Sequence, residues 1–241
     1  MSHARAPRVV KPFFRVLSPA EARRALERFG PLGIERIAVA DAAGRVLAEP
    51  IPGPTSERLS AIARELGIHL QPGSITETIA GERRCYNTAL LFTPDGELAG
   101  RYRKIHLFDV EIPGQVTAKE SEARKPGQET VVVPTAIGTI GLSVCYDLRF
   151  PELYRRLVRA GAEILCIPSA FTFPTGAAHW EPLVRARAIE NQCYVIAPDQ
   201  CGTSPNGHRD YGGSMIVDPW GAVVARASEG EAIILDRKSV V

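Results

Sequence analysis

The chain has 241 residues, with 29 Lys and Arg against 27 Asp and Glu and a net charge of +2. That balance gives no electrostatic reason to expect nucleic acid or an anionic membrane as partner, which leaves small-molecule chemistry or protein binding. No apolar run reaches the ~18 residues of a membrane span, and the opening MSHARAPRVVKPFFRV lacks the apolar stretch and cleavage site of a secretory signal, so the expected location is the cytoplasm. The length suits one enzyme-sized α/β unit. Five cysteines, Cys85, Cys145, Cys166, Cys193 and Cys201, form no Cys-x-x-Cys pair, which argues against both a disulfide framework and a zinc site.

In chain order, SPAEARRALERFG (18–30) reads as a capped helix. Ser18 is its N-cap, Pro19 takes the first helical position, Glu21 closes a capping box, and Ala22, Ala25, Leu26 and Phe29 share one face before Gly30. Short apolar pieces follow, and a second helix begins near Thr55, with Leu59, Ile62, Ala63 and Leu66 at helical spacing before Gly67. Residues 68–75, 86–93 and 97–103 read as strands, the last two joined by a Pro94-Asp95-Gly96 turn. Residues 106–128 carry Pro113-Gly114 and Pro126-Gly127 and no clear period, the mark of a site-forming loop. From Val131 onward, β-branched runs (VVVP, IGLSVC, EILCIPS, YVIAP, SMIVDP, AVVARA) alternate with helices at 151–160 and about 179–191. These runs are nearly all apolar, as in sheets covered on both faces, and the pattern is layered α/β.

Cys145 ends the strand IGLSVC just before a turn, where α/β folds present side chains to a ligand crevice. Free cysteine is also among the most buried residue types, so strand position alone favours a packed thiol, the reading kept for Cys85, Cys166, Cys193 and Cys201. Lys104 ends its own strand, and a thiol attacking a carbonyl needs a nearby cation for the developing oxyanion. Taken alone, Lys104 reads as a solvated surface charge.

The blocks YRKIHLFDVEIPGQ, GLSVCYDLRFPELYR, PSAF, AHWEPLVRARAIENQCYV and YGGSMIVDPWG resemble successive motifs of the nitrilase, or carbon-nitrogen hydrolase, superfamily. The resemblance runs from about residue 52 to 235 and is strongest to the branch of the deaminated-glutathione amidases and omega-amidases. It implies a four-layer αββα sandwich, no metal or organic cofactor, a small carboxylate-bearing amide as substrate and a homodimer. It also implies Cys145 as nucleophile, Lys104 as the cation that stabilises the tetrahedral intermediate, and Tyr146 as the donor of an oxyanion-holding backbone amide. Glu120 matches an additional carboxylate that orients the site, against a bland reading as a solvated loop charge. Ala170 and Phe171 of PSAF match pocket-lining positions, against ordinary core and turn. Arg185, Arg187, Glu190 and Asn191 read as structural, on a solvated or dimer-contact helix face.

The family's triad also contains a glutamate on a strand ahead of the second helix, in a stretch resembling Leu-Pro-Glu, and no such stretch occurs here. Glu49 and Glu57 read as surface carboxylates. Residues 16–51 resemble instead the opening segment of molybdopterin molybdotransferases. The expected organisation is therefore a foreign-looking segment over 1–51, an N-terminally truncated hydrolase domain over 52–235 without its first strands and helix, and an appended tail over 236–241. Two other readings stay open: a non-catalytic binding or dimerisation scaffold, and a molybdenum-cofactor biosynthesis fragment.

Overall fold

The computed structural model describes residues 48–114, 116–203, 207–228, 230 and 232–236. The expected helix at 18–30, the apolar pieces up to residue 47 and residues 237–241 lie outside these.

Helix α1 (Pro54–Leu66) starts where its sequence allows. Pro54 occupies the first turn, the Gly53 N–H donates to Ser56 Oγ at 2.8 Å, and the Glu49 carboxylate accepts the N–H groups of Thr55 and Ser56 at 3.0 and 3.3 Å. It stops at Gly67, which takes a left-handed conformation at φ 61°. Leu59, Ile62 and Ala63 are buried, as the periodicity predicts.

The first sheet is antiparallel, from β1 (Ser74–Thr78), β2 (Cys85–Phe92) and β3 (Leu98–Arg103). The strand expected over 68–75 begins only at Ser74. Pro72 lacks an N–H and Gly73 sits at φ 97°, so ahead of them Leu70 makes a single bridge to Phe92. Period-two alternation divides β2 between two cores. Leu90 and Phe92 pack with Ile51, Leu59 and Ala63 of the α1 layer, whereas Ala89 and Leu91 join the larger core with Tyr102.

Residues 106–128 are not the irregular loop expected. They form a hairpin, β4 (Asp109–Ile112) with β5 (Val116–Lys119), and a single helical turn, α2 (Glu120–Ala123). Val110 pairs with Ala118 and Ile112 with Val116, so the chain closes on itself locally.

The second sheet uses β6 (Val131–Val133), β7 (Ile140–Leu142), β8 (Ile164–Cys166) and β9 (Tyr194–Ala197). Helix α3 (Pro151–Arg159) lies between β7 and β8, and α4 (Phe173–Asn191) between β8 and β9. A small hairpin, β10 (Cys201–Thr203) with β11 (Arg209–Tyr211), precedes β12 (Met215–Val217) and β13 (Val223–Arg226). The six-stranded order is β13-β12-β9-β8-β7-β6, with β7, β8 and β9 parallel and the outer strands antiparallel. Helix α4 begins six residues before the 179 expected, with Pro174 in its first turn.

The two sheets meet face to face where β3 passes β6, and Gly100 permits the approach. A Cβ there would lie 2.7 Å from Val133 Cγ2 and 3.1 Å from Leu142 Cδ1. On the far face, α3 contributes Leu153, Tyr154 and Leu157 and α4 contributes Trp180, Val184 and Ala188 to the same core. The layers run α1, first sheet, second sheet, α3 with α4: the αββα order expected. Cys85, Cys166 and Cys193 are buried thiols as expected, but Cys201 on β10 is exposed, because its hairpin stands outside both sheets.

Candidate active site

Three parallel strands converge on one crevice. The Cys145 N–H donates to the Pro168 carbonyl at 2.9 Å, and Ser169 bridges to Asp199, so the carboxyl ends of β7, β8 and β9 place Cys145, residues 168–171 and Asp199 side by side. All of them line a cavity of about 1170 Å³, closed on another side by Asn87, Lys104, Phe108 and Glu120. A crevice beyond the carboxyl ends of parallel strands is where open α/β sheets bind ligands.

Cys145 adopts φ 50°, in the left-handed region that costs a non-glycine residue ~1–2 kcal/mol. The turn after it is held on two sides. Asp147, fully buried, accepts the Tyr102 O–H at 2.7 Å and the Val144 N–H at 2.9 Å on Oδ2. Its Oδ1 accepts the His106 N–H at 3.0 Å and lies 2.7 Å from His106 Nδ1. From the opposite face, Arg187 donates twice to the Leu148 carbonyl, at 3.0 and 2.7 Å, and once to Glu190 at 2.7 Å. Arg187 is therefore buried rather than on the solvated face expected of α4, because its guanidinium satisfies the carbonyl of the turn that carries the cysteine.

The Cys145 side chain is half-buried, with Sγ 4.0 Å from the Ala170 carbonyl. Burial pushes the thiol up, the charge of Lys104 pulls it down, and the carboxylates of Asp199 and Glu120 raise it further. Thiolate formation at this position therefore depends on a charge or base brought to it.

Lys104 emerges just after β3 and is only 3% exposed. A buried ammonium requires a partner, and Nζ has Glu120 Oε2 at 2.6 Å. The same oxygen accepts the Phe108 N–H at 2.7 Å, and Asn87 Nδ2 donates to Oε1 at 3.4 Å. The β4–β5 hairpin returns the chain so that α2 opens at Glu120 facing Lys104, and the solvated loop charge is not what this carboxylate is.

Tyr146 lines the cavity with its ring edge-on to Phe108 and Phe150, at 5.0 and 5.6 Å between centroids. Ala170 is an exposed part of the cavity wall, and Phe171 lies buried behind it. Glu49 is engaged as the α1 cap, Glu57 is exposed on α1, and neither lines the cavity. Among the described residues, no group of three or more His, Cys, Asp or Glu is disposed to hold a metal ion.

Three residues of this region escape the sequence reading: Asn87, Asp147 and Asp199. Asp199 carried a usable signal, since it follows the apolar run YVIAP at the same kind of strand end as Cys145. Asn87 and Asp147 carried none, because each is recognised only by what the other strands bring to it.

Fold and crevice together define an α/β sandwich of the nitrilase type with a cysteine at a strand end. The chain belongs to the carbon-nitrogen hydrolase family: the family's model, Carbon-nitrogen hydrolase, matches residues 29–238. It is 48% identical over 213 residues to the deaminated glutathione amidase of Mus musculus, covering 87% of this chain and 66% of that protein. It is 43% identical over 187 residues to the omega-amidase NIT2 of Homo sapiens, covering 78% of this chain and 67% of that protein. Among solved structures it resembles Saccharomyces cerevisiae Nit3, a member of branch 10 of the nitrilase superfamily, with a TM-score of 0.69, 39% identity, and 78% of this chain and 66% of that chain covered. The chain thus spans about two thirds of the length of the relatives it matches.

Proposed function

We propose that the chain hydrolyses the carbon–nitrogen bond of a small carboxylate-bearing amide through a Cys145 thioester. The observation that carries this is the buried Lys104, clamped by Glu120 at 2.6 Å, in the wall of the cavity that also holds the strand-end thiol. An ammonium so fixed is a preorganised donor for an oxyanion.

In this reading Cys145 Sγ loses its proton as it attacks the amide carbon, and the oxyanion is held by Lys104 Nζ–H and the Tyr146 N–H. Collapse breaks the C–N bond and releases ammonia, which takes up a proton. Water then attacks the thioester, freeing the carboxylic acid and restoring the thiol. Glu120 positions Lys104 rather than acting as base, since one of its oxygens already accepts both Lys104 Nζ–H and the Phe108 N–H. Arg58, Lys119 and His208 also line the cavity and suit a carboxylate on the substrate, in keeping with the omega-amidase among the relatives.

The base for the Cys145 proton is not supplied among the described residues, because Glu49 is engaged at the α1 N-terminus. A positioned general base contributes ~10²–10⁴ in rate, so turnover that relies on the described residues alone is slow. That same engagement of Glu49 favours, as the second reading, a non-catalytic homologue.

The test is incubation with an omega-amide such as glutaramic acid, following ammonia release and the acyl adduct by intact mass. The adduct forms on Cys145, and Cys145→Ala abolishes both signals. Attaching the N-terminal strand–helix–strand segment of a family member raises release by ~10²–10⁴. Undiminished ammonia release by Cys145→Ala would rule the assignment out, and a Cys145 inert to every amide in the extended chain would leave the scaffold reading.

A further inference from the structure

Two carboxylates line the cavity, Glu120 and Asp199. Glu120 is answered by Lys104. Asp199 has no such answer. It is 8% exposed, its Oδ1 accepts the Phe171 N–H at 2.9 Å, and its Oδ2 is buried without a hydrogen-bond partner among the described residues. Buried polar atoms in native proteins are otherwise nearly always paired, so the unpaired oxygen leaves this carboxyl, on a residue that lines the cavity, short of a donor.

Its position relative to the thiol follows from the sheet. Asp199 lies just after β9 and bridges to Ser169 after β8, while Cys145 after β7 bonds to Pro168. The two residues are therefore two strand positions apart, ~10 Å between backbones. The bond to the Phe171 N–H draws the carboxyl over the end of β8, toward the cysteine. No hydrogen bond joins it to Sγ, so Asp199 is not placed as the thiol's base. It stands where a substituent a few bonds from the scissile carbonyl would arrive.

The chemistry of that substituent follows from the surroundings. Burial pushes the Asp199 carboxyl up to about 7, with Asp210 adding to the rise; the Phe171 N–H on Oδ1 opposes it, as do the N–H groups of Gly212 and Gln200, neither of which bonds Oδ2. A cation beside it would favour the charged form and satisfy Oδ2 together. Lys104 cannot serve, being held by Glu120, and His208 acts on the neighbouring Asp210.

We propose that Asp199 is a specificity-determining residue whose carboxylate, in the cavity wall, faces the ammonium group of an amine-bearing amide substrate. This rests on the amide-hydrolase reading of the cavity and deepens it. With Arg58 and Lys119 also lining the cavity to take a carboxylate, the preferred substrate class is a zwitterionic amide, an amino acid side-chain amide that keeps its amine. The mouse relative is named for a deaminated substrate, so this preference departs from the substrate in that protein's name.

The test uses methanethiosulfonates carrying an ethylammonium, an ethyl or an ethylsulfonate group, which a thiolate attacks at sulfur to form a mixed disulfide with loss of methanesulfinate. Rates at Cys145 are read by intact mass and peptide mapping at pH 8, in a Cys201→Ser background. The ratio of ammonium to ethyl rates is expected to be about tenfold higher with Asp199 than with Asp199→Asn, and the sulfonate order reversed. Because the Asp199 charge raises the Cys145 thiol, every rate shifts when it is removed, and the ammonium-to-ethyl ratio within each protein cancels that common change; Asp199→Ser serves as the neutral variant should Asp199→Asn fold poorly. Equal ratios in all three proteins would overturn the proposal. These rates need only a reactive thiol, so ammonia release with equal ratios sinks this inference alone, and a charge preference without ammonia release sinks the hydrolase reading alone.

Discussion

Asp147→Asn is the substitution that tests how the cysteine-bearing turn is held. In the native chain all four neighbours approach the carboxylate as donors or along a donor's line: Tyr102 O–H at 2.7 Å and Val144 N–H at 2.9 Å on one oxygen, His106 N–H at 3.0 Å and Nδ1 at 2.7 Å on the other. Asparagine keeps one acceptor oxygen and turns an NH₂ toward two of these groups, so two bonds are lost and donors face donors in a site with no solvent exposure. Hydrogen bonds to a charged group contribute ~1.5–3 kcal/mol each. The expected loss is therefore about 3–6 kcal/mol. The assay is urea unfolding followed by circular dichroism, where the midpoint falls and the slope is retained. Cys145 alkylation by iodoacetamide becomes faster in the variant, because the turn that buries the thiol loosens. A variant within about 1 kcal/mol of the parent, less than a single charged hydrogen bond contributes, would refute the view that this carboxylate holds the turn.

Two further outcomes follow from the sheets. Burial opposes ionisation of Glu77, but Arg103, Arg101 and Thr88 hold its carboxyl down to about 2. A depressed carboxyl stabilises the fold fully above its unfolded value of 4.5 and loses that contribution as pH falls toward 2. Glu77→Gln therefore lowers stability by about 2 kcal/mol at pH 7, and the gap to the parent closes in melts taken at successively lower pH through that window. A gap that widens on acidification would contradict the pairing. Gly100→Ala puts a methyl group against Val133 and Leu142 between the sheets and costs about 1–3 kcal/mol in denaturant unfolding, whereas an unchanged midpoint would mean that the sheets separate without penalty.

The sequence by itself determined whatever depends on near neighbours. Pro54, Ser56 and Gly67 bound α1 and its apolar spacing chose the buried face, because capping and helical periodicity act within a few residues. The apolar run before Cys145 announced a buried strand with a thiol at its end, and Lys104 was visible at the end of another. Whether these two met was decided only by tertiary structure. Lys104 is buried because a hairpin between residues 109 and 119, which reads as a loop in sequence, returns Glu120 to it. Asp147 becomes the anchor of the turn through Tyr102 and His106, 45 and 41 residues away. Asp199 enters the cavity because β8 and β9 pair in parallel, bringing Asp199 beside Ser169 and its carboxyl to the Phe171 N–H. Strand register sets all three juxtapositions, and register is an outcome of packing two sheets into one core rather than of any local stretch of chain.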